Sequence, residues 1–160
     1  LIPAFNEHGV LPPGRYPTDV VEVEQRFVGS FPLSATRKAI YDGWRTRRNE
    51  LFSLVEVEFE WIDGSFVTGK RDAGDLDVVT FVRSDHLTAL TPADSARVAQ
   101  LTFGAHPRLA FGCDSYLAVI FDEAHPAHST YLQARGYWDR WWARDRVAPE
   151  KGYLDVRGAA

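Results

Sequence analysis

Residues 61–79 read WIDGSFVTGKRDAGDLDVV and hold two kinds of chemistry-bearing group within one short stretch. The first is Gly64-Ser65, at the end of an apolar, strand-like run. Glycine there lets backbone N–H groups approach an anion closely, and the serine hydroxyl adds a donor. The second is Asp75 and Asp77, which flank one leucine at the start of another apolar run. Two positions apart on a strand, their side chains leave the same face. Paired carboxylates repel each other unless a cation lies between them. A hard divalent ion with oxygen ligands, Mg²⁺ above all, removes that repulsion and bridges substrate phosphates. The bland alternative, a Gly-Ser turn followed by solvated loop acids, does not explain why two acids begin an apolar strand.

The elements that must position these groups are legible in the periodicity. LVEVEFEWI alternates strictly, with Val55, Val57, Phe59 and Trp61 on one face and Glu56, Glu58 and Glu60 on the other, which predicts a strand with one solvated face. DLDVVTFV (75–82) and CDSYLAVIF (113–121) are apolar on both faces and read as central strands. Asp114 opens the second of these, a helix-length connection after the first. Asp85 and Asp122 compete for the role of third acid but sit in loop-like contexts at strand ends. Between the two strands, Thr91-Pro92 opens a helix to about Phe103.

Elsewhere, Asp19 and Glu22 form a capping box before Val20, Val23 and Phe27. Ser34 caps a helix to about residue 50, whose buried face is Ile40, Trp44 and Leu51. Arg37, Lys38, Arg45, Arg47 and Arg48 crowd its other sides, a pattern that reads first as a solvated face and second as a contact for nucleic acid or triphosphate. After His125-Pro126 a helix runs to about Arg144. Its aromatic set Tyr131, Tyr137, Trp138, Trp141 and Trp142 suits a core or subunit interface, with base stacking as the alternative. GYLDV after Lys151 is a short strand. Residues 1–17 are rich in Pro and Gly and predict an irregular arm, laid against the body by Ile2, Phe5, Val10 and Leu11. The expected architecture is an α+β sandwich: a mixed sheet of four to five strands with helices packed on it, one domain over residues 1–160.

Bulk properties narrow the function classes. A chain of 160 residues fits one core and is cramped for two. No apolar run is long enough to cross a bilayer, and the opening LIPAFNEHGVLPP has neither a basic start nor a continuous apolar stretch. The lone Cys113 makes no internal disulfide, which fits a reducing cytoplasm. A net charge of −4 disfavours non-specific nucleic-acid binding over the whole surface.

The 61–79 stretch resembles the polymerase-β-like nucleotidyltransferase superfamily, whose members carry an apolar residue, Gly, Gly or Ser, about ten variable residues, then Asp-apolar-Asp/Glu-apolar. Here the first element is Ile62-Asp63-Gly64-Ser65 and the second is Asp75-Leu76-Asp77-Val78. Asp63 stands in a slot that is more usually apolar, and Phe66 stands where many minimal members carry arginine. The whole chain also looks like an uncharacterised bacterial family of nucleotidyltransferase-like proteins, through IPAFNEHGVLPPG, the central stretch and RDRVAPEKGYLDV. The resemblance implies catalytic and metal-binding roles for Asp75, Asp77 and Asp114, with Mg²⁺ or Mn²⁺, and a nucleotide site at Gly64, Ser65, Thr68 and Lys70. It implies a nucleoside triphosphate as substrate and leaves the acceptor open among RNA, a protein side chain and a small hydroxylated molecule. Two further readings stand beside it: a binding module of the same fold, such as one half of a toxin–antitoxin or phage-defence pair with a small helical partner, and a metal-dependent phosphohydrolase. A homo-oligomer is compatible with each.

Overall fold

Apolar runs of strand length, separated by helices with polar outer faces, fold into one mixed sheet with helices on both sides. The structure is a computed structural model and describes residues 1–144 and 150–158. The strands are β1 (Gly14–Thr18), β2 (Phe59–Asp63), β3 (Asp77–Arg83), β4 (Asp114–Ile120) and β5 (Gly152–Val156). They lie in the order β1-β5-β2-β3-β4. β1 pairs parallel to β5 and β3 parallel to β4, whereas β2 runs antiparallel to both its neighbours. The α+β sandwich expected from the sequence is the architecture found.

Among the described residues, six α-helices complete the fold: α1 (Val20–Glu24), α2 (Arg37–Leu54), α3 (Ser84–Thr88), α4 (Pro92–Thr102), α5 (Ala105–Phe111) and α6 (His128–Trp142). Asp19 caps α1 through the Glu22 N–H, and Thr91 caps α4 through the Asp94 N–H, as their spacing predicts. Helix α6 covers one sheet face, where Trp61, Val79, Phe81, Ala118 and Tyr153 pack against Tyr131 and Trp142. The opposite face carries Ile62, Val78, Leu154 and Val156 beneath Val23, Phe27 and Trp44, and Val82 beneath Leu51, Val98 and Leu101. Among the described residues no helix is long and apolar enough to cross a membrane.

Several expectations are corrected. The arm is irregular only through residue 13, because Gly14–Thr18 joins the sheet as an edge strand, a place where Pro17 is tolerated. β4 is the other edge rather than a central strand. β2 begins at Phe59, and Glu60, expected on a solvated face, is fully buried. The basic helix is the largest departure: Arg37, Arg47 and Arg48 are also fully buried. Arg47 and Arg48 donate to the Glu60 carboxylate at 2.7 and 3.1 Å, and Arg47 also reaches Thr80 Oγ1. Buried charges survive only when paired and hydrogen-bonded. The helix α2 starts two residues later than expected, at Arg37 with Thr36 as its N-cap, and Ser34 Oγ accepts from the Thr36 and Arg37 N–H groups ahead of it.

Candidate functional site

Strand register brings three aspartates side by side at one end of the sheet. Asp63 on β2 pairs across from Asp77 on β3, and Asp77 pairs across from Asp114 on β4. Directly paired residues share a sheet face, so the three carboxylates form a row on the α6 side. Asp85 and Asp122, the alternatives to Asp114, belong to the far end of β3, where Arg83 holds both. The concavity lined by Phe52–Glu58 and Gly158, about 590 Å³, is also at that far end.

Asp75 precedes the row on the Gly64–Asp75 connection, and this loop is tightly built. Gly64 has φ 84°, and a Cβ there would lie 2.9 Å from the Asp75 carbonyl oxygen, so both conformation and space demand glycine. The Ser65 N–H donates to Asp75 Oδ1 at 2.9 Å, and the Ser65 hydroxyl donates to the same oxygen. That hydroxyl in turn accepts from the Gly74 N–H at 2.8 Å. The Thr68 hydroxyl donates to the Ser65 carbonyl at 2.8 Å, while the Lys70 side chain is exposed to solvent. Of the four residues expected to hold a nucleotide, Gly64, Ser65 and Thr68 are thus knitted into the loop's own framework.

A residue that the charge pattern hides organises this framework. The Arg37 guanidinium is buried beneath the loop and donates to the carbonyls of Phe27, Phe66, Thr68, Lys70 and Arg71. Burial pulls it down to about 10, so it stays charged at neutral pH. The N-terminal arm adds a second brace, with the Gly69 N–H donating to the Gly9 carbonyl at 2.7 Å and Val10 bridging to Thr68.

The electrostatics of the row are those of crowded acids. Burial, then Asp75, then Asp114, push the Asp77 carboxyl up to about 6. Burial likewise lifts Asp63 to about 7, against the pull of Lys151, whose Nζ lies 2.9 Å from Asp63 Oδ2. The Gly64 N–H favours the charged form of Asp63, yet its Oδ1 has no hydrogen bond of good geometry and is buried. Arg108 on α5 reaches Asp114 Oδ2 at 3.4 Å. Arg108 is the cation that the sequence reading missed; Lys151, which the sequence offers equally as a phosphate contact or as part of a strand-initiating turn, is found paired with Asp63. The one available signal for that pairing was Asp63 itself, an acid at the end of a buried strand that needed a counter-charge.

The donor set is all oxygen, from carboxylates, and so fits a hard divalent ion rather than a soft one. The raised carboxyl of Asp77 and the orphaned Asp63 Oδ1 are what such an ion would relieve. Among the described residues, no three acidic, His or Cys side chains converge as a finished ligand cluster. Asp75 is turned to Ser65 and Asp114 to Arg108, and a metal would compete with those partners. His125 Nδ1 accepts from the Ala127 N–H, and His128 Nδ1 lies 2.8 Å from the Phe121 carbonyl.

No curated protein and no solved structure matches the chain. One family model does match, over residues 3–157, which is nearly the whole sequence. The chain therefore belongs to the Family of unknown function (DUF6932).

Proposed function

We propose that the acidic end of the sheet carries out metal-dependent nucleotidyl transfer from a nucleoside triphosphate to an acceptor hydroxyl. The observation that carries this reading is Asp77, flanked in register by Asp114 and two positions on from Asp75, with its carboxyl pushed up by burial and then by both neighbours. Asp75, Asp77 and Asp114 would hold Mg²⁺ or Mn²⁺, which when bound neutralises triphosphate charge. Gly64 and Ser65 would offer backbone and hydroxyl donors to the phosphates, which requires Ser65 to exchange its present bonds to Asp75 for them, with Thr68 and Lys70 further along the same loop. Asp114, at the open edge strand, takes the proton of the acceptor hydroxyl. The acceptor oxygen bonds to the α-phosphorus as the bond to the β-phosphate oxygen breaks and pyrophosphate leaves. Positioning and charge neutralisation then supply the rate. A reducing, cytoplasmic setting belongs to the same reading, carried by the single buried thiol of Cys113.

A titration of Mg²⁺-ATP into the wild-type chain and into Asp77→Asn tests it. Binding by the first and its loss in the second is the expected result. Equal behaviour of the two, or no binding by either, refutes it. Labelling a lysate with α-labelled triphosphates then identifies the acceptor class.

One observation favours a second reading, a binding module with little catalysis: Ser65 and Asp114 are already satisfied inside the protein. Label transfer by the isolated chain excludes it as the sole role. Co-purification with a small partner, without transfer, supports it.

A further inference from the structure

A set of aromatic rings beside the acids has no part in the reaction above. Tyr116 lies two residues beyond Asp114 on β4, so the two side chains leave the same face of the edge strand. The final turns of α6 run over this spot. Trp138 packs on Tyr116 with ring centroids 4.7 Å apart, and Tyr137 packs edge-on against Trp138 at 5.1 Å. Tyr137 and Trp141, one turn apart, lie nearly parallel at 5.9 Å and 16°. The inward side of α6 is already filled by Tyr131 and Trp142. Tyr116, Tyr137 and Trp141 instead remain 38%, 48% and 56% exposed.

We infer that Tyr116, Tyr137 and Trp141 form a stacking ledge for the base of the nucleoside triphosphate. This rests on the nucleotidyl-transfer reading and gives that substrate its second anchor. A nucleotide joins a planar π-face to a polyanion through one sugar, and the ledge adjoins the acidic row in the same order. Stacking is tolerant of base identity because every base has a π-face. The ledge therefore selects for ring area, purine over pyrimidine, and not for a particular hydrogen-bonding edge.

The test compares Mg²⁺-ATP, Mg²⁺-CTP and Mg²⁺-tripolyphosphate by calorimetry on wild type, Tyr137→Ala/Trp141→Ala and Trp141→Phe. Both altered positions are exposed, so the fold is retained, and far-UV dichroism checks this. Wild type should bind ATP more tightly than CTP, and CTP more tightly than tripolyphosphate. The double variant should lose about tenfold or more in ATP affinity, the range of one base–aromatic stack, with tripolyphosphate unchanged and Trp141→Phe close to wild type. An unchanged ATP affinity in the double variant overturns the ledge while leaving the phosphate site standing. Failure of wild type to bind tripolyphosphate and nucleotide alike overturns both readings. Loss of a wild-type dimer in the double variant, with ATP affinity unchanged, assigns the rings to self-association instead.

Discussion

Asp63 and Lys151 form an ion pair of 2.9 Å in which both side chains are nearly inaccessible to solvent. It joins the end of β2 to the residue before β5, and it borders the acidic row through the pairing of Asp63 with Asp77. The acid that stands directly before Gly64 thus comes with its own buried cation.

Lys151→Met should cost about 3–5 kcal/mol of unfolding free energy, because it strands a buried carboxyl without its partner. The double change Asp63→Val/Lys151→Met should recover most of that loss, since an apolar pair replaces a desolvated ionic one. Urea denaturation of the two variants and wild type measures the coupling.

Asp77 supplies a prediction with a definite sign. Its carboxyl is raised from an ordinary 3.8 to about 6, so the folded protein binds that proton more tightly than the unfolded chain. The stability contributed by that proton is present below about pH 4 and lost as pH climbs through 6. Without divalent ions, Asp77→Asn should therefore gain stability over wild type progressively between pH 4 and 6, then hold a constant advantage above. Thermal melts across that window read it out. A difference that shrinks as pH rises would contradict the crowding of the row.

Gly64→Ala asks for a left-handed backbone and a Cβ 2.9 Å from a carbonyl oxygen. The loop must shift, carrying Ser65 away from Asp75. A drop in melting temperature is expected together with weaker Mn²⁺ binding, followed by paramagnetic relaxation of water protons.

Arg37→Met removes the donor to five loop and helix carbonyls. A loss of about 3 kcal/mol or more is expected, as several partly buried acceptors go unpaired. Arg37→Lys should rescue little, because an ammonium cannot reproduce the planar fork. Amide hydrogen exchange should accelerate selectively across residues 65–75.

The order of strands and helices was largely readable, because alternation and capping are local signals. The strand at 77–83 belongs to that class, but Asp75, expected on it and on the same face as Asp77, lies in the loop ahead of it, where Ser65 holds its carboxylate. What places Asp114 beside Asp77 is parallel register across a three-helix connection, which no local pattern encodes. The buried arginines were misread for the same reason. Charge on a helix predicts solvent unless the partners are known, and those of Arg37 are carbonyls up to 34 positions away. Glu60 completed a perfect alternation and was therefore counted as solvated, although Arg47, Arg48, Trp44 and Thr80 enclose it. Helix α5 is bounded by Gly104 and Gly112 and contains Pro107, so its residues carry breaker signals over a segment only seven long.

The parallel pairing of β1 with β5 bears on how the chain is made. β5, the last of the described strands in chain order, lies between β1 and β2, inside the sheet rather than at its edge. Until residues 152–156 leave the ribosome, β1 has no neighbour and β2 presents an open edge. The nascent chain must keep β1 apart from the β2-β3-β4 sheet until β5 joins them, the slow and aggregation-exposed step that long-range pairing brings.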